Sequence, residues 1–213
     1  MTLKFYDFGI MLHRTHDDGS ETEYPIDPAQ LASVLAARVE LNTGLLTGNT
    51  IYIATQGIKR LVVEYRPPQK TGIFLDGSTN AIRIPMPGLL LFRAGAETPR
   101  YALYAVKKRP DTMDTPLYHA PLPNIYQQGN ICWGTVNRVS KDGLASNHLD
   151  EDWKLLLGSS FGNHGVPNRS KSHPKDIREQ YAAMEARKTR TYPTTDLIKT
   201  DKTLAQVIKD MLK

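Results

Sequence analysis

The 213-residue chain has one cysteine, no apolar run of about 18 residues and no low-complexity tract. One cysteine excludes an internal disulfide, and this fits a reducing, cytoplasmic setting. The lack of a long apolar run excludes a transmembrane helix. Residues 1–7 have no apolar core and no small-residue cleavage site, so we expect no secretory signal there. These absences predict a cytoplasmic protein with no membrane partner.

The histidines show no His-x-x-x-His spacing, and there is no cysteine pair, so the sequence predicts no metal site and no cofactor. The formal net charge of +5 would suit nucleic acid or an acidic protein. The basic residues are scattered, however, with a modest excess over residues 169–190, and no aromatic-interleaved basic motif is present. We therefore favour a protein partner over nucleic acid.

Helix signals stand at both ends of the chain, and short β runs lie between them. Pro28 suits the first position of a helix that Asp27 can cap, and this helix is expected to end near residues 42–44. Short β runs joined by turns over residues 48–108 predict an antiparallel meander. The predicted strands are 3–12, 50–54, 60–65, 72–75, 81–84, 89–92 and 100–106, and those at 81–84 and 89–92 could be one strand interrupted at Pro87. Further helices are predicted at 148–157, 174–187 and 203–213, with a turn at 140–143.

This order of elements predicts an α+β fold, in which helices are separated from one antiparallel sheet. We expect residues 1–190 to form one domain. Residues 189–202 are polar and are interpreted as a linker. Residues 191–213 are therefore expected to be a linker and short helix packed on that domain.

The only thiol, Cys132, lies in an irregular segment that follows the last predicted strand of the meander. Asn124 precedes it by eight residues, and a turn-forming run lies between them at 127–130. A thiol is a strong nucleophile, and an amide donor can stabilise an oxyanion. A lone cysteine is more often a small buried hydrophobic residue. The spacing of the two residues is what favours a catalytic role.

Residues 123–132, Pro-Asn-Ile-Tyr-Gln-Gln-Gly-Asn-Ile-Cys, resemble the active-site segment of ubiquitin-conjugating enzymes. The agreement includes the Asn-to-Cys spacing of eight, Gly129 three residues before the thiol, and Ile131 directly before it. One position departs from the family pattern. Leu122 stands where the family has a histidine that mainly shapes the loop. The predicted order of a helix, a meander, a catalytic loop and C-terminal helices also fits the family fold.

A closer resemblance is to the bacterial branch of that superfamily. It rests on Leu-Tyr-His-Ala-Pro-Leu-Pro-Asn at 117–124 and Cys-Trp-Gly at 132–134. Members lie in operons with a ubiquitin-like protein, an activating enzyme and a JAB-type protease. These operons include the plasmid-borne PRTRC clusters, in which the member is protein B, and conjugation operons linked to phage defence. The resemblance therefore implies a cytoplasmic transferase with those partners.

The resemblance also implies roles for individual residues. Cys132 would accept the C-terminal glycine of a ubiquitin-like protein as a thioester and pass it to a lysine amine on a target protein. Asn124 would order the loop or support the oxyanion, Tyr126 would line the lysine channel, and His119 would shape the loop through hydrogen bonds. The residue that orients the lysine is to be sought among Asp150, Asp152, Ser160, Asn163 and His164, of which we favour His164.

Two alternatives remain open at this point. A non-catalytic relative could bind the ubiquitin-like protein without forming a thioester; Leu122 favours this reading and the retained cysteine opposes it. A stand-alone cysteine hydrolase would need a histidine close to Cys132. The nearest histidine in the sequence is His119, thirteen residues upstream.

Overall fold

The computed structural model describes residues 1–37, 48–56, 59–95, 99–134, 136 and 148–213. The chain divides into two compact units, Met1–Gly44 and Leu45–Lys213. Residues 191–213 belong to the second unit. The expected helix end at 42–44 and the expected turn at 140–143 lie outside the described residues.

The first unit is a three-stranded antiparallel sheet followed by a helix. Its elements are β1 (Thr2–Tyr6), β2 (Gly9–Thr15), β3 (Glu21–Ile26) and α1 (Pro28–Ala37). The prediction of one strand over residues 3–12 was wrong, because Tyr6 pairs with Gly9 across a two-residue turn. Gly9 has a φ of 151°, which a β-branched or bulky residue would not adopt readily. The cap of α1 is confirmed, since the Ala29 amide donates to the Asp27 carboxylate at 2.9 Å.

The second unit contains a six-stranded antiparallel sheet with the order β12-β10-β9-β8-β5-β4. Its strands are β4 (Thr50–Gln56), β5 (Lys59–Arg66), β8 (Gly88–Ala94), β9 (Arg100–Val106), β10 (Pro116–His119) and β12 (Lys199–Thr203). A smaller sheet consists of β6 (Gln69–Leu75), β7 (Ile82–Met86) and β11 (Ser160–Phe161), in which β11 and β6 run parallel.

Antiparallel pairing is confirmed, but the strands do not form one sequential meander. The β6–β7 hairpin leaves the large sheet, so β5 pairs with β8 instead of with β6, the strand that follows it in sequence. The runs at 81–84 and 89–92 are two strands in two sheets, not one interrupted strand. Pro87 lies between them and cannot donate to a strand ladder.

Helices cover both faces of the large sheet because its strands bury side chains on each side. Their bounds are α2 (Asp150–Gly158), α3 (Ile177–Ala186) and α4 (Leu204–Leu212). One face, which includes Leu91 and Leu103, packs in the cluster that holds α2 and α3. The opposite face, which includes Phe92, packs against α4. None of the described helices is long and apolar enough to cross a membrane.

The C-terminal half differs from expectation at the start of α3 and at residues 189–202, among other places. Helix α3 begins at Ile177, three residues after Pro174, because the Asp176 side chain accepts from the Arg178 amide and so caps the helix there. The stretch interpreted as a linker, 189–202, is part of the folded unit, with Tyr192 buried in the core and β12 paired with β10. Strand β12 is polar because it is an edge strand whose pairing depends on its backbone.

Candidate active site

The thiol loop, residues 120–134, leaves the large sheet at the end of β10 and is anchored in the core at its start. Ala120, Pro121, Leu122 and Pro123 are all buried. Tyr181 of α3, itself buried, donates its hydroxyl to the Pro121 carbonyl at 2.6 Å. The position where ubiquitin-conjugating enzymes have histidine is thus an apolar site that Leu122 fills.

Asn124 stands where the thiol loop turns back, with a φ of 59°. Asparagine tolerates this left-handed conformation better than most residues do. Its side chain donates to the Ser160 carbonyl at 3.1 Å and accepts from the Gly162 amide at 3.2 Å. Its backbone amide donates to the His164 carbonyl at 2.6 Å. Asn124 therefore fastens the thiol loop to a second segment, residues 160–169, called here the flanking loop.

The spacing of eight residues closes a narrow hairpin-like turn. The Cys132 amide donates to the Asn124 carbonyl at 2.7 Å, and Ile125 and Ile131 form an antiparallel bridge beside it. Both isoleucines are buried, whereas Cys132 is a free, half-exposed thiol. The packing of its two neighbours leaves the cysteine facing the surface.

The tip of the thiol loop rests on β9. The Leu103 amide donates to the Gly129 carbonyl at 2.8 Å, and the Tyr104 hydroxyl donates to the Gln128 carbonyl. Gly129 has a φ of 86°, and a Cβ atom there would lie 2.5 Å from the Tyr104 ring. Only glycine fits without displacement. Burial raises the pKa of Tyr104 to about 12, so its hydroxyl keeps its proton for this contact.

Tyr126 is the side chain next to the thiol. It is 49% exposed, and a hydrogen bond with Cys132 is the main cause that raises the pKa of its phenol. The Tyr126 amide donates to the Asn130 carbonyl at 2.8 Å, which fixes the backbone beneath the ring. At neutral pH the phenol keeps its proton and is a donor at the surface beside Cys132.

The thiol loop is thus ordered from both sides around an accessible cysteine. The model of prokaryotic E2 family D matches residues 29–200. The chain belongs to this family. The resemblance to bacterial ubiquitin-conjugating (E2) enzymes is thereby confirmed, and membership indicates a conjugating-enzyme-type role. No curated protein and no solved structure matches the chain.

The candidates for the E2 residue that orients the lysine separate by environment. Asp152 is buried, and its carboxylate already accepts from Arg93 at 3.1 Å and from the Tyr101 hydroxyl at 2.5 Å. Asp150 lies on α2 and pairs with His148 at 3.4 Å. Ser160, Asn163 and His164, in contrast, belong to the flanking loop that Asn124 binds.

His164 contacts the thiol loop through its backbone carbonyl, which accepts from the Asn124 amide. The residue as a whole is exposed. His119 is directed elsewhere. Its Nδ1 atom lies 3.1 Å from the Arg169 guanidinium, and burial together with that charge lowers the pKa of His119 to about 4. An imidazole with so low a pKa is a weak general base at neutral pH. The described part of the chain also offers no group of three or more metal-ligating side chains.

Arg169 and Gly165 of the flanking loop were missed by sequence reasoning. Arg169 is fully buried and touches the thiol loop, yet in the sequence it is one cation in a basic stretch. Gly165 has a φ of 64°, and a Cβ atom there would lie 2.4 Å from the Ile125 carbonyl oxygen. The sequence around Gly165 does not indicate this close contact, because Ile125 is forty residues away in sequence.

Proposed function

We propose that this protein carries a ubiquitin-like protein as a thioester on Cys132 and transfers it to an amine of a target protein. The observation that carries the proposal is the geometry of the thiol loop. Cys132 is partly accessible, its backbone is bonded to Asn124, and the exposed Tyr126 side chain interacts with it. Family membership supports the same class of reaction.

The first step is an exchange between two thioesters. The Cys132 thiolate attacks the carbonyl carbon of the ubiquitin-like protein's C-terminal glycine, which an activating enzyme holds as a thioester. A new carbon–sulfur bond forms to Cys132, and the activating enzyme's own thiolate leaves. Because the acyl group is already activated, no strong base is needed, and a partly exposed thiol meets the requirement.

The second step transfers the acyl group to a lysine. The neutral amine attacks the thioester carbonyl, a carbon–nitrogen bond forms, and the bond to the Cys132 sulfur breaks. The proton lost by the amine passes to solvent or to the departing thiolate. The Tyr126 phenol is the donor that can face the developing oxyanion or line the path of the lysine.

Asn124 acts in this proposal by ordering the loop rather than by binding the oxyanion. One N–H of its side-chain amide donates to the Ser160 carbonyl and its amide oxygen accepts from the Gly162 amide, so the side chain is held against the flanking loop. The same contacts bring His164 and its neighbours to the thiol loop. We therefore keep the exposed residues of the flanking loop, His164 among them, as the group that prepares the lysine.

The expected partners are a ubiquitin-like protein, its activating enzyme and a protein substrate, in a bacterial conjugation operon of the plasmid or phage-defence type. The test is incubation of the purified protein with the cognate activating enzyme, the ubiquitin-like protein and ATP. We expect an adduct that thiol reductant removes. The Cys132→Ser variant should give a reductant-resistant ester, and Cys132→Ala should give no adduct.

The controls separate the rival readings. A reductant-sensitive adduct that persists in Cys132→Ala contradicts the assignment of the thiol. Binding of the ubiquitin-like protein with no adduct in the wild type indicates a non-catalytic binding relative. Hydrolysis of small thioesters without any partner indicates a hydrolase, which the Arg169-bound, weakly basic His119 does not favour.

A further inference from the structure

Arg169 is the largest fully buried side chain of the described residues, and it joins two stretches of chain that are distant in sequence. Its Nε atom donates to the Gly165 carbonyl at 3.0 Å. One terminal nitrogen lies 3.1 Å from His119 Nδ1, and the other donates to the Ile125 carbonyl. The guanidinium thus links the end of β10, the thiol loop and the flanking loop.

The surroundings of Arg169 are unusual for a buried cation. None of the ion pairs among the described residues involves it, so neutral acceptors satisfy the guanidinium. Burial lowers the pKa of Arg169 to about 10, yet the group stays charged at neutral pH. An apolar residue of similar size would avoid the desolvation cost of a buried charge. The planar guanidinium has donors in fixed directions, so it can hold two backbone carbonyls in a defined geometry. An apolar side chain could fill the space but could not do this.

The two carbonyls that Arg169 holds belong to residues that adjoin the proposed site residues. Ile125 lies between Asn124 and Tyr126, and Gly165 follows His164, whose carbonyl accepts from Asn124. The approach at this point is so close that a Cβ atom on Gly165 would meet the Ile125 oxygen at 2.4 Å. A small shift of the guanidinium would change the position of Asn124 and Tyr126 relative to the flanking loop.

We infer that Arg169 is a positioning residue for the acyl-transfer step, which holds the thiol loop and the flanking loop in register. The inference rests on the proposed function. Loading needs only an exposed thiol, because the activating enzyme delivers an activated acyl group. Transfer to a lysine also needs Tyr126 and the flanking loop in place. Arg169 should therefore matter more for transfer than for loading.

The test measures the two steps separately in a single turnover. Each protein is first loaded with the ubiquitin-like protein, and the burst amplitude gives the fraction of competent molecules. The activating enzyme is then quenched, free lysine is added, and the rate of thioester loss is measured per loaded molecule. A variant that merely folds poorly has a smaller amplitude but the wild-type transfer rate.

We expect Arg169→Met to reduce the transfer rate about tenfold or more, since misplacement of about 1 Å in an active site can have effects of that size. Arg169→Lys, which keeps the charge but not the fork, should be intermediate. The matched control is Tyr192→Phe, which removes a buried hydrogen bond to Gln180 outside the thiol loop. It should transfer at the wild-type rate per loaded molecule.

A second readout is the histidine ring. In the wild type Arg169 contributes to the low pKa of His119, so Arg169→Met should raise that pKa towards the ordinary 6.5, as seen in an NMR titration. Wild-type transfer rates for both Arg169 variants would overturn the inference while leaving the thioester itself established. If neither variant folds, Gly165→Ala decides, because it disturbs the Ile125 contact while leaving Arg169 in place. A normal transfer rate in that variant would also overturn it.

Discussion

At the residue scale, the buried position of His119 makes stability depend on pH. Burial and the Arg169 charge lower its pKa from 6.5 to about 4 in the folded protein. Between these values the unfolded chain binds more protons than the folded chain, so acid favours unfolding. The stabilisation is fully present above about pH 6.5 and is lost as the pH falls towards 4. Because the ring is only partly buried, we expect a loss of about 1–2 kcal/mol.

This prediction can be measured by urea unfolding at several pH values. Both tryptophans, Trp133 and Trp153, lie in the second unit, so their fluorescence reports on the unit that holds His119. Carboxylates also titrate in this range, and the His119→Gln variant controls for them. The wild type should lose about 1–2 kcal/mol more than this variant between pH 7 and pH 4. Parallel curves for the two proteins would contradict the assignment.

Local spacing predicted the proximity of some candidate residues better than that of others. Asn124, Tyr126 and Cys132 are close in sequence, and a turn of fixed length brings them together. The flanking loop comes from a distant part of the chain. Tertiary packing decides that His164 contacts the thiol loop through its carbonyl and that Arg169 is buried. No local sequence pattern indicates either contact.

At the element scale, the runs of β-branched and aromatic residues predicted most strands of the large sheet. The failures have local causes. A two-residue turn split the first predicted strand into β1 and β2, and the polar sequence of β12 hid an edge strand whose pairing is made by the backbone. The departure of the β6–β7 hairpin from the large sheet could not be predicted, because strands that follow each other in sequence usually pair in one sheet.

The thiol loop as an element depends on its contact with β9. Gly129→Ala would place a Cβ atom 2.5 Å from the Tyr104 ring, at a φ of 86°. We expect a loss of about 2–4 kcal/mol, from backbone strain together with overpacking. Gly134→Ala is the matched control, since Gly134 also has a positive φ, of 57°, but nothing lies within 4 Å of its added Cβ.

Urea unfolding of both glycine variants measures this difference. Gly134→Ala should lose only the backbone part, about 1–2 kcal/mol. The excess in Gly129→Ala then measures the steric contact that holds the tip of the thiol loop on β9. Equal losses in the two variants would mean that the tip moves away from Tyr104 at no cost.

At the scale of the whole molecule, the boundaries of the family match differ from those of the folded units. The match over residues 29–200 omits the three-stranded sheet of the first unit and all of α4. Yet α4 buries Leu204, Val207, Ile208 and Met211 in the core of the second unit. In the first unit, none of the residues whose burial is described is buried. The two omitted segments therefore differ in what they contribute to stability.

This contrast predicts opposite results for two truncations. A chain that begins at Leu45 should keep a cooperative unfolding transition near the wild-type midpoint, because the core of the second unit is intact. A chain that ends at Thr203 loses α4 and exposes the sheet face around Phe92. Four buried apolar side chains contribute about 6–12 kcal/mol, comparable to the stability of a whole domain.

The truncations are compared by tryptophan fluorescence and by size-exclusion chromatography. The chain that ends at Thr203 should unfold without a cooperative transition or should aggregate through the exposed sheet face. Two full-length variants separate the loss of packing from the loss of chain length. Ile208→Ser, on the buried side of α4, should lower the midpoint, whereas Lys209→Ser, on its exposed side, should not. A stable, monomeric chain ending at Thr203 would show that the sheet face does not need α4, and that the segment matched by the family model folds without it.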